Sequence, residues 1–198
     1  MIHALPGMGA NRLMFPSPWD ELPDMVVHEW SEFSNERSLA EVAQALCERH
    51  GLHDGDVVIG ASLGGMVACE IAKRRQLRAL FLVGSAVRKE EINTLLAFLH
   101  PLAQVAPIDL VRLSSASIPT DLTQMLKDAD SKFIRAMCRA IFEWEGLGDH
   151  PVPCYRLHGR LDLVIPPPPK VDLPLVGGHL ISVTHATQCV EFIRTALR

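Results

Sequence analysis

The run from Asp56 to Glu70, Asp-Val-Val-Ile-Gly-Ala-Ser-Leu-Gly-Gly-Met-Val-Ala-Cys-Glu, constrains the fold more than any other part of the chain. Val57, Val58 and Ile59 form the short β-branched run that a strand buried on both faces needs. From Leu63 onward the spacing of Leu63, Met66, Val67 and Ile71 is helical. The two periodicities meet at Gly60-Ala61-Ser62-Leu63-Gly64, the G-x-S-x-G pattern of a nucleophile elbow. In such an elbow a serine sits on a strained strand-to-helix turn, and its small neighbours let the backbone pass close to adjoining elements. The turn lifts the Ser62 hydroxyl clear of the sheet. It also aims the first amides of the helix, Leu63 among them, at any oxygen gaining charge there. A turn serine in a chance match is the plainer reading of the five residues. The buried strand before them and the amphipathic helix after them favour the elbow.

The rest of the chain supplies neighbours for that strand. Ile2 to Leu5 reads as a first strand, followed by the loop Pro6-Gly7-Met8-Gly9-Ala10-Asn11, and Val26 to Trp30 as a second. Ser38-Leu39-Ala40-Glu41 is a capping box opening a helix with Leu39, Val42 and Leu46 on one face, which Gly51 ends. The elbow helix closes on Lys73, Arg74 and Arg75, where cations suit the dipole, and Ala79 to Val83 is another buried strand. This order predicts a parallel sheet with helices on its faces. Between Ser85 and His150 no strand pattern occurs, but helical spacing does, over Lys89 to Leu99, Leu122 to Lys127 and Ser131 to Trp144. One crossover needs one helix, so residues 85–150 are expected to form an inserted helical cap within a single domain spanning 1–198.

The α/β rhythm resumes at Pro153 to His158, continues through Val171 to Val176, and ends in a helix from about His185 to Leu197. Asp162 and His179 each fall just past the carboxyl end of one of these strands, the side on which the elbow also opens. Serine, then acid, then histidine is the chain order that accompanies this elbow. A serine hydroxyl is a poor nucleophile at neutral pH. It needs an imidazole to accept its proton, and the imidazole needs a carboxylate to fix its tautomer. Of the nine histidines, His158 and His185 rival His179; His158 is expected to shape the acid turn and His185 to start the last helix. Asp172, inside the last strand, rivals Asp162 but would project from the wrong end.

Four motifs together resemble the α/β-hydrolase superfamily over essentially the whole length: Leu5-Pro6-Gly7-Met8-Gly9, Gly60-Ala61-Ser62-Leu63-Gly64-Gly65, Gly159-Arg160-Leu161-Asp162 with Val164-Ile165-Pro166, and Gly177-Gly178-His179. The resemblance implies an α/β-hydrolase fold with a Ser62, Asp162 and His179 triad and an oxyanion hole from the backbone amides of Met8 and Leu63. Two departures are visible. Pro6 stands where many members carry a histidine, and no leading hairpin precedes Ile2, which implies a minimal, mostly parallel sheet of about six strands.

Composition narrows the partners. A net charge of −4 without long single-sign runs leaves neither a nucleic-acid footprint nor a polybasic membrane patch. No apolar run approaches the roughly 20 residues of a membrane span, and five scattered cysteines (Cys47, Cys69, Cys138, Cys154, Cys189) read as reduced thiols, so a cytoplasmic location is expected. No metal-ligand spacing or dinucleotide glycine pattern occurs, so no cofactor is expected. The reading is a cofactor-independent serine hydrolase cleaving an ester or thioester of a small to medium acyl substrate. A carbon–carbon bond hydrolase on the same triad is the alternative on this scaffold, and a non-catalytic ligand-binding protein is the alternative from another class. Arg160 and Arg88 are the cations to watch near the acid turn and cap entrance, with solvated surface arginines as their plainer reading.

Overall fold

A computed structural model describes residues 1–30, 36–92 and 130–198. Six strands, β1 (Ile2–Leu5), β2 (Met25–Val27), β3 (Val57–Ala61), β4 (Ala79–Val83), β5 (Cys154–Gly159) and β6 (Leu173–Leu175), form one sheet. Their order is β2-β1-β3-β4-β5-β6, and every neighbouring pair is parallel. β1, β3 and β4 are buried along their whole length, which their near-continuous apolar sequences require.

The described helices are α1 (Leu39–His50), α2 (Leu63–Ala72), α3 (Ser131–Glu143), α4 (Ile181–Thr184) and α5 (Ala186–Ala196). Strand side chains alternate between two cores. Leu5, Val58, Leu80 and Leu82 pack with α1, α2 and α3. Ala4, Ile59, Phe81 and Leu157 pack on the opposite face with α5 and Trp19. Ser38 caps α1: its hydroxyl accepts from the Glu41 amide at 3.1 Å, the Glu41 carboxylate reaches back to the Arg37 amide at 2.6 Å, and Gly51 ends the helix with φ 61°. Such a cap contributes about 1 kcal/mol.

Several boundaries differ from the sequence expectation. The second strand is Met25–Val27 and stops before Trp30, because Trp30 leaves the sheet to donate its indole N–H to the Gly7 carbonyl at 2.7 Å. The last strand shrinks to Leu173–Leu175: it is an edge strand, and Pro174 has no N–H to extend a ladder. The last helix, α5, forms over Ala186–Ala196 as expected, and an additional short helix, α4, precedes it, separated at His185, whose φ −131° and ψ 33° are not helical. At Lys89 only one 3-10 turn forms, Lys89–Glu91, and Ile92 is extended, so no helix runs continuously from Lys89. The remainder of that expected helix and the one at Leu122 to Lys127 lie outside the described residues. Ser131–Glu143 is helical as expected, and Trp144 closes it in an extended conformation.

Candidate active site

The elbow is built by steric exclusion. Ser62 holds φ 50° and ψ −119° between β3 and α2, a positive φ in which a side chain is strained. A Cβ on Gly60 would overlap the backbone of Gly64 and Gly65, and one on Gly64 would overlap the carbonyls of Leu5 and Pro6. The small residues around the serine thus allow α2 to start directly against β3 and against the loop after β1. Ser85, buried just past β4, donates its hydroxyl to the Ser62 carbonyl at 2.6 Å and fastens the turn from the other side. Sequence reading passed over Ser85; its position immediately after the strand beside the elbow was the available signal.

Loops at the carboxyl ends of β5 and β6 bring two further side chains to Ser62. His179 Nε2 lies 3.0 Å from Ser62 Oγ, and His179 Nδ1 lies 2.8 Å from Asp162 Oδ2. The carboxylate is itself held, since its Oδ1 accepts from the amides of Val164 at 2.9 Å and Ile165 at 3.0 Å. Its pKa is the balance of opposing effects. Burial favours the neutral acid, but His179, the hydrogen bonds from His158 and His179, and the Ile165 amide outweigh it and hold the carboxyl well below the usual carboxylate range. An ionised Asp162 requires the hydrogen on His179 Nδ1, leaving Nε2 as the acceptor facing the serine.

The loop after β1 runs alongside this group. A Cβ on Gly7 would sit 3.5 Å from Ser62 Cβ. Gly7 is pinned on both sides, its amide donating to Met14 Sδ at 3.1 Å and its carbonyl accepting from Trp30. Met8 follows, half-buried, with its Sδ 3.8 Å from Cys138 Sγ on α3. Leu63 is the first residue of α2, so its amide belongs to the helix-start donors that lack an intrahelical acceptor. Gly7, the neighbour of Met8, and Leu63 thus approach the serine from the β1 loop and from the start of α2.

The rivals are placed elsewhere. His185 Nδ1 is paired with Thr184 Oγ1 at 2.8 Å, and Asp172 Oδ2 accepts from the Arg156 amide at 2.7 Å, before β6 begins. His158 is buried against the acid turn, its Nε2 2.8 Å from the Ile165 carbonyl. Arg88 and Arg160 are exposed. The five cysteines are free, and burial pushes their thiols up, Cys154 to about 11 and Cys189 to about 12, so neither is a thiolate at neutral pH. Among the described residues no group of three or more His, Cys, Asp and Glu side chains is arranged to hold a metal ion, and no helix is long and apolar enough to cross a membrane.

A family model described as "Alpha/beta hydrolase family" matches residues 2–192. Similar solved structures include an esterase from Thermogutta terrifontis, with 20% identity and a TM-score of 0.70 over 100% of this chain and 89% of that one. A hydrolase from Oleispira antarctica aligns at 17% identity and TM-score 0.75, covering 98% and 90% of the two chains. The type II thioesterase BorB of the borrelidin biosynthetic cluster aligns at 18% identity and TM-score 0.70, covering 100% and 92%. No curated protein sequence matches the chain.

Proposed function

The chain belongs to the alpha/beta hydrolase family, with the fold of that family, and from that premise we propose that it is a cofactor-independent serine hydrolase cleaving an ester or thioester of a small to medium acyl group. The observation that carries this reading is the unbroken run of contacts from Ser62 Oγ through His179 to Asp162, at 3.0 and 2.8 Å, on a positive-φ elbow. The esterases and the thioesterase among the similar structures support acyl chemistry.

In this reading Ser62 Oγ attacks the acyl carbonyl while His179 Nε2 takes the hydroxyl proton, and Asp162 stabilises the imidazolium so formed. The carbonyl oxygen becomes an oxyanion, received by the amides of Leu63 and Met8; donors of this kind are each worth roughly 3–4 kcal/mol in the transition state. Collapse expels the alkoxide or thiolate, which takes the proton from His179 and leaves an acyl group on Ser62 Oγ. Water, deprotonated by the same Nε2, then attacks the acyl-serine, releasing the carboxylic acid and restoring the hydroxyl. α3, the described helix of the expected 85–150 insertion, meets Met8 beside this site, and the reduced cysteines suit a cytoplasmic enzyme.

The test is covalent capture. A fluorophosphonate probe is expected to label Ser62, and Ser62→Ala to abolish labelling and ester hydrolysis with a melting temperature nearly unchanged. A native protein that resists the probe, or a mutant that labels equally, overturns the enzyme and leaves a ligand receptor. Assaying p-nitrophenyl esters beside vinylogous 1,5-diketones separates acyl transfer from carbon–carbon cleavage.

A further inference from the structure

His158, next to last in β5, is 1% exposed and stands outside the Ser62, His179 and Asp162 relay. Its Nε2 approaches two oxygens, the Ile165 carbonyl at 2.8 Å and Asp162 Oδ2 at 3.3 Å. Among the described residues its Nδ1 is buried with no hydrogen-bond partner. A carbonyl and an ionised carboxylate can only accept, so Nε2 carries the hydrogen. A hydrogen on Nδ1 would have nothing to donate to, and burying it unpaired costs about 1–3 kcal/mol. The ring is therefore a neutral imidazole in one tautomer, with its single donor shared between the acid and the turn that carries the acid.

Asp162 Oδ2 is consequently the meeting point of two imidazoles, His179 at 2.8 Å and His158 at 3.3 Å. Gly84, at φ 54°, leaves the space beside it open: a Cβ there would reach within 3.5 Å of Oδ2. Oδ1 is fully taken up by the amides of Val164 and Ile165. Ile165 thus donates to the acid through its N–H and accepts from His158 through its carbonyl, closing a ring of contacts around the carboxylate.

We propose that His158 is a positioning residue for the acid of the triad: its Nε2–H fastens the Ile165 end of the turn and withdraws part of the negative charge from the oxygen that faces His179. The proposal rests on the serine-hydrolase reading of Ser62, His179 and Asp162. It makes a signed statement. With the His158 donor removed, the charge on Oδ2 concentrates on His179, the imidazolium is held more tightly, and protonation silences the base at higher pH. If His158 only ties β5 to Ile165, its loss slackens the Asp162 to His179 contact and moves the transition the opposite way, or not at all. Among the described ion pairs, His179 and His158 are the titratable partners of Asp162.

The experiment follows the His179 ring by histidine ¹⁵N NMR against pH in the native protein, in His158→Leu, which removes the donor, and in His158→Gln, whose amide can donate from nearly the same place. The midpoint of the His179 transition is expected to rise by about half a pH unit in the leucine variant and to return in the glutamine variant. The acid limb of kcat/KM on p-nitrophenyl butyrate is expected to move with it, while KM stays within about twofold. An unmoved or lowered midpoint in a folded leucine variant overturns the proposal. Should that variant not fold, the native spectrum decides: hydrogen on Nε2 and a bare Nδ1 of His158 from pH 5 to 9 support it, and the other tautomer or an imidazolium overturns it. Fluorophosphonate labelling of the native protein runs alongside, so failure of the serine-hydrolase reading shows as a missing label and not as an unmoved midpoint.

Discussion

Ser62 holds a backbone conformation that costs of order 1–3 kcal/mol, and its neighbours explain why the turn keeps it. The Gly64 backbone lies so close to the carbonyls of Leu5 and Pro6 that any side chain there forces the loop away from α2. Gly64→Ala is therefore expected to cost about 3 kcal/mol and to lower fluorophosphonate labelling together with the melting temperature. A labelled, fully stable alanine variant would contradict the close approach. Within the proposed triad the losses are not additive. His179→Ala is expected to match Ser62→Ala, several orders of magnitude in turnover, and Asp162→Asn to cost somewhat less; a larger loss from His185→Ala or Asp172→Asn would reassign the base or the acid. These residues were legible because the elbow is a local motif and because Asp162 and His179 follow strands that end on the elbow's side of the sheet. Ser85 escaped a functional reading, because its contact to the Ser62 carbonyl joins segments that sequence spacing does not bring together. His158 was legible as a shaper of the acid turn four residues on, but not its contact with Asp162 Oδ2.

At the scale of elements, the feature hidden in the sequence is a stack of histidines. His3 on β1, His28 after β2 and His50 at the end of α1 sit apart in the chain and have unremarkable local contexts. The fold gathers them: His3 Nδ1 is 2.8 Å from His28 Nε2, the rings of His28 and His50 are 4.3 Å apart, and His3 Nε2 lies 3.2 Å from Asp56, which also pairs with the chain's N-terminal amine at 2.9 Å. Burial, helped by His50 and His3, lowers His28 from 6.5 to about 4, and burial lowers His3 in spite of Asp56. In the unfolded chain His28 takes up a proton near pH 6.5, while in the folded protein it resists until about pH 4. Between those values the unfolded state binds more protons, so stability is full above 6.5 and is lost as pH falls. At full effect the window amounts to about 3 kcal/mol for His28. Asp56, held low despite burial by the His53 amide and the N-terminal amine, loses its contribution in the same direction. Thermal melts at pH 7.5 and pH 5 are expected to show a marked drop for the native protein and a smaller one for His28→Gln. Equal drops in both would remove His28 as the cause.

For the whole molecule, the room above Ser62 decides which acyl groups the proposed site takes. The chain between Val83 and Cys154 carries Leu95, Leu96, Phe98, Leu99, Phe133, Ile134, Met137, Ile141 and Phe142 as its apolar stock. The first four lie outside the described residues. On α3 the division is visible: Phe133, Met137 and Ala140 are buried in the core shared with α1 and α2, Phe133 stacks on Trp30 at 5.5 Å, and Trp144 donates to the buried Glu70 at 3.0 Å. These contacts clamp α3 to the body through its most apolar side chains, and Cys138 meets Met8 directly beside the proposed oxyanion donor. A helix anchored against Met8 leaves little depth for a long chain along that wall. Its half-buried remainder, Ile134, Ile141 and Phe142, is apolar, while the cations of the helix, Lys132, Arg135 and Arg139, are exposed. Activity on p-nitrophenyl esters and acyl-CoA thioesters of increasing length is therefore expected to peak at short to medium acyl groups. Cys138→Trp, which fills the space against Met8, is expected to move that peak toward the shortest acyl groups without lowering fluorophosphonate capture. Highest turnover on long-chain lipids, or a peak indifferent to Cys138→Trp, would place the acyl pocket away from α3.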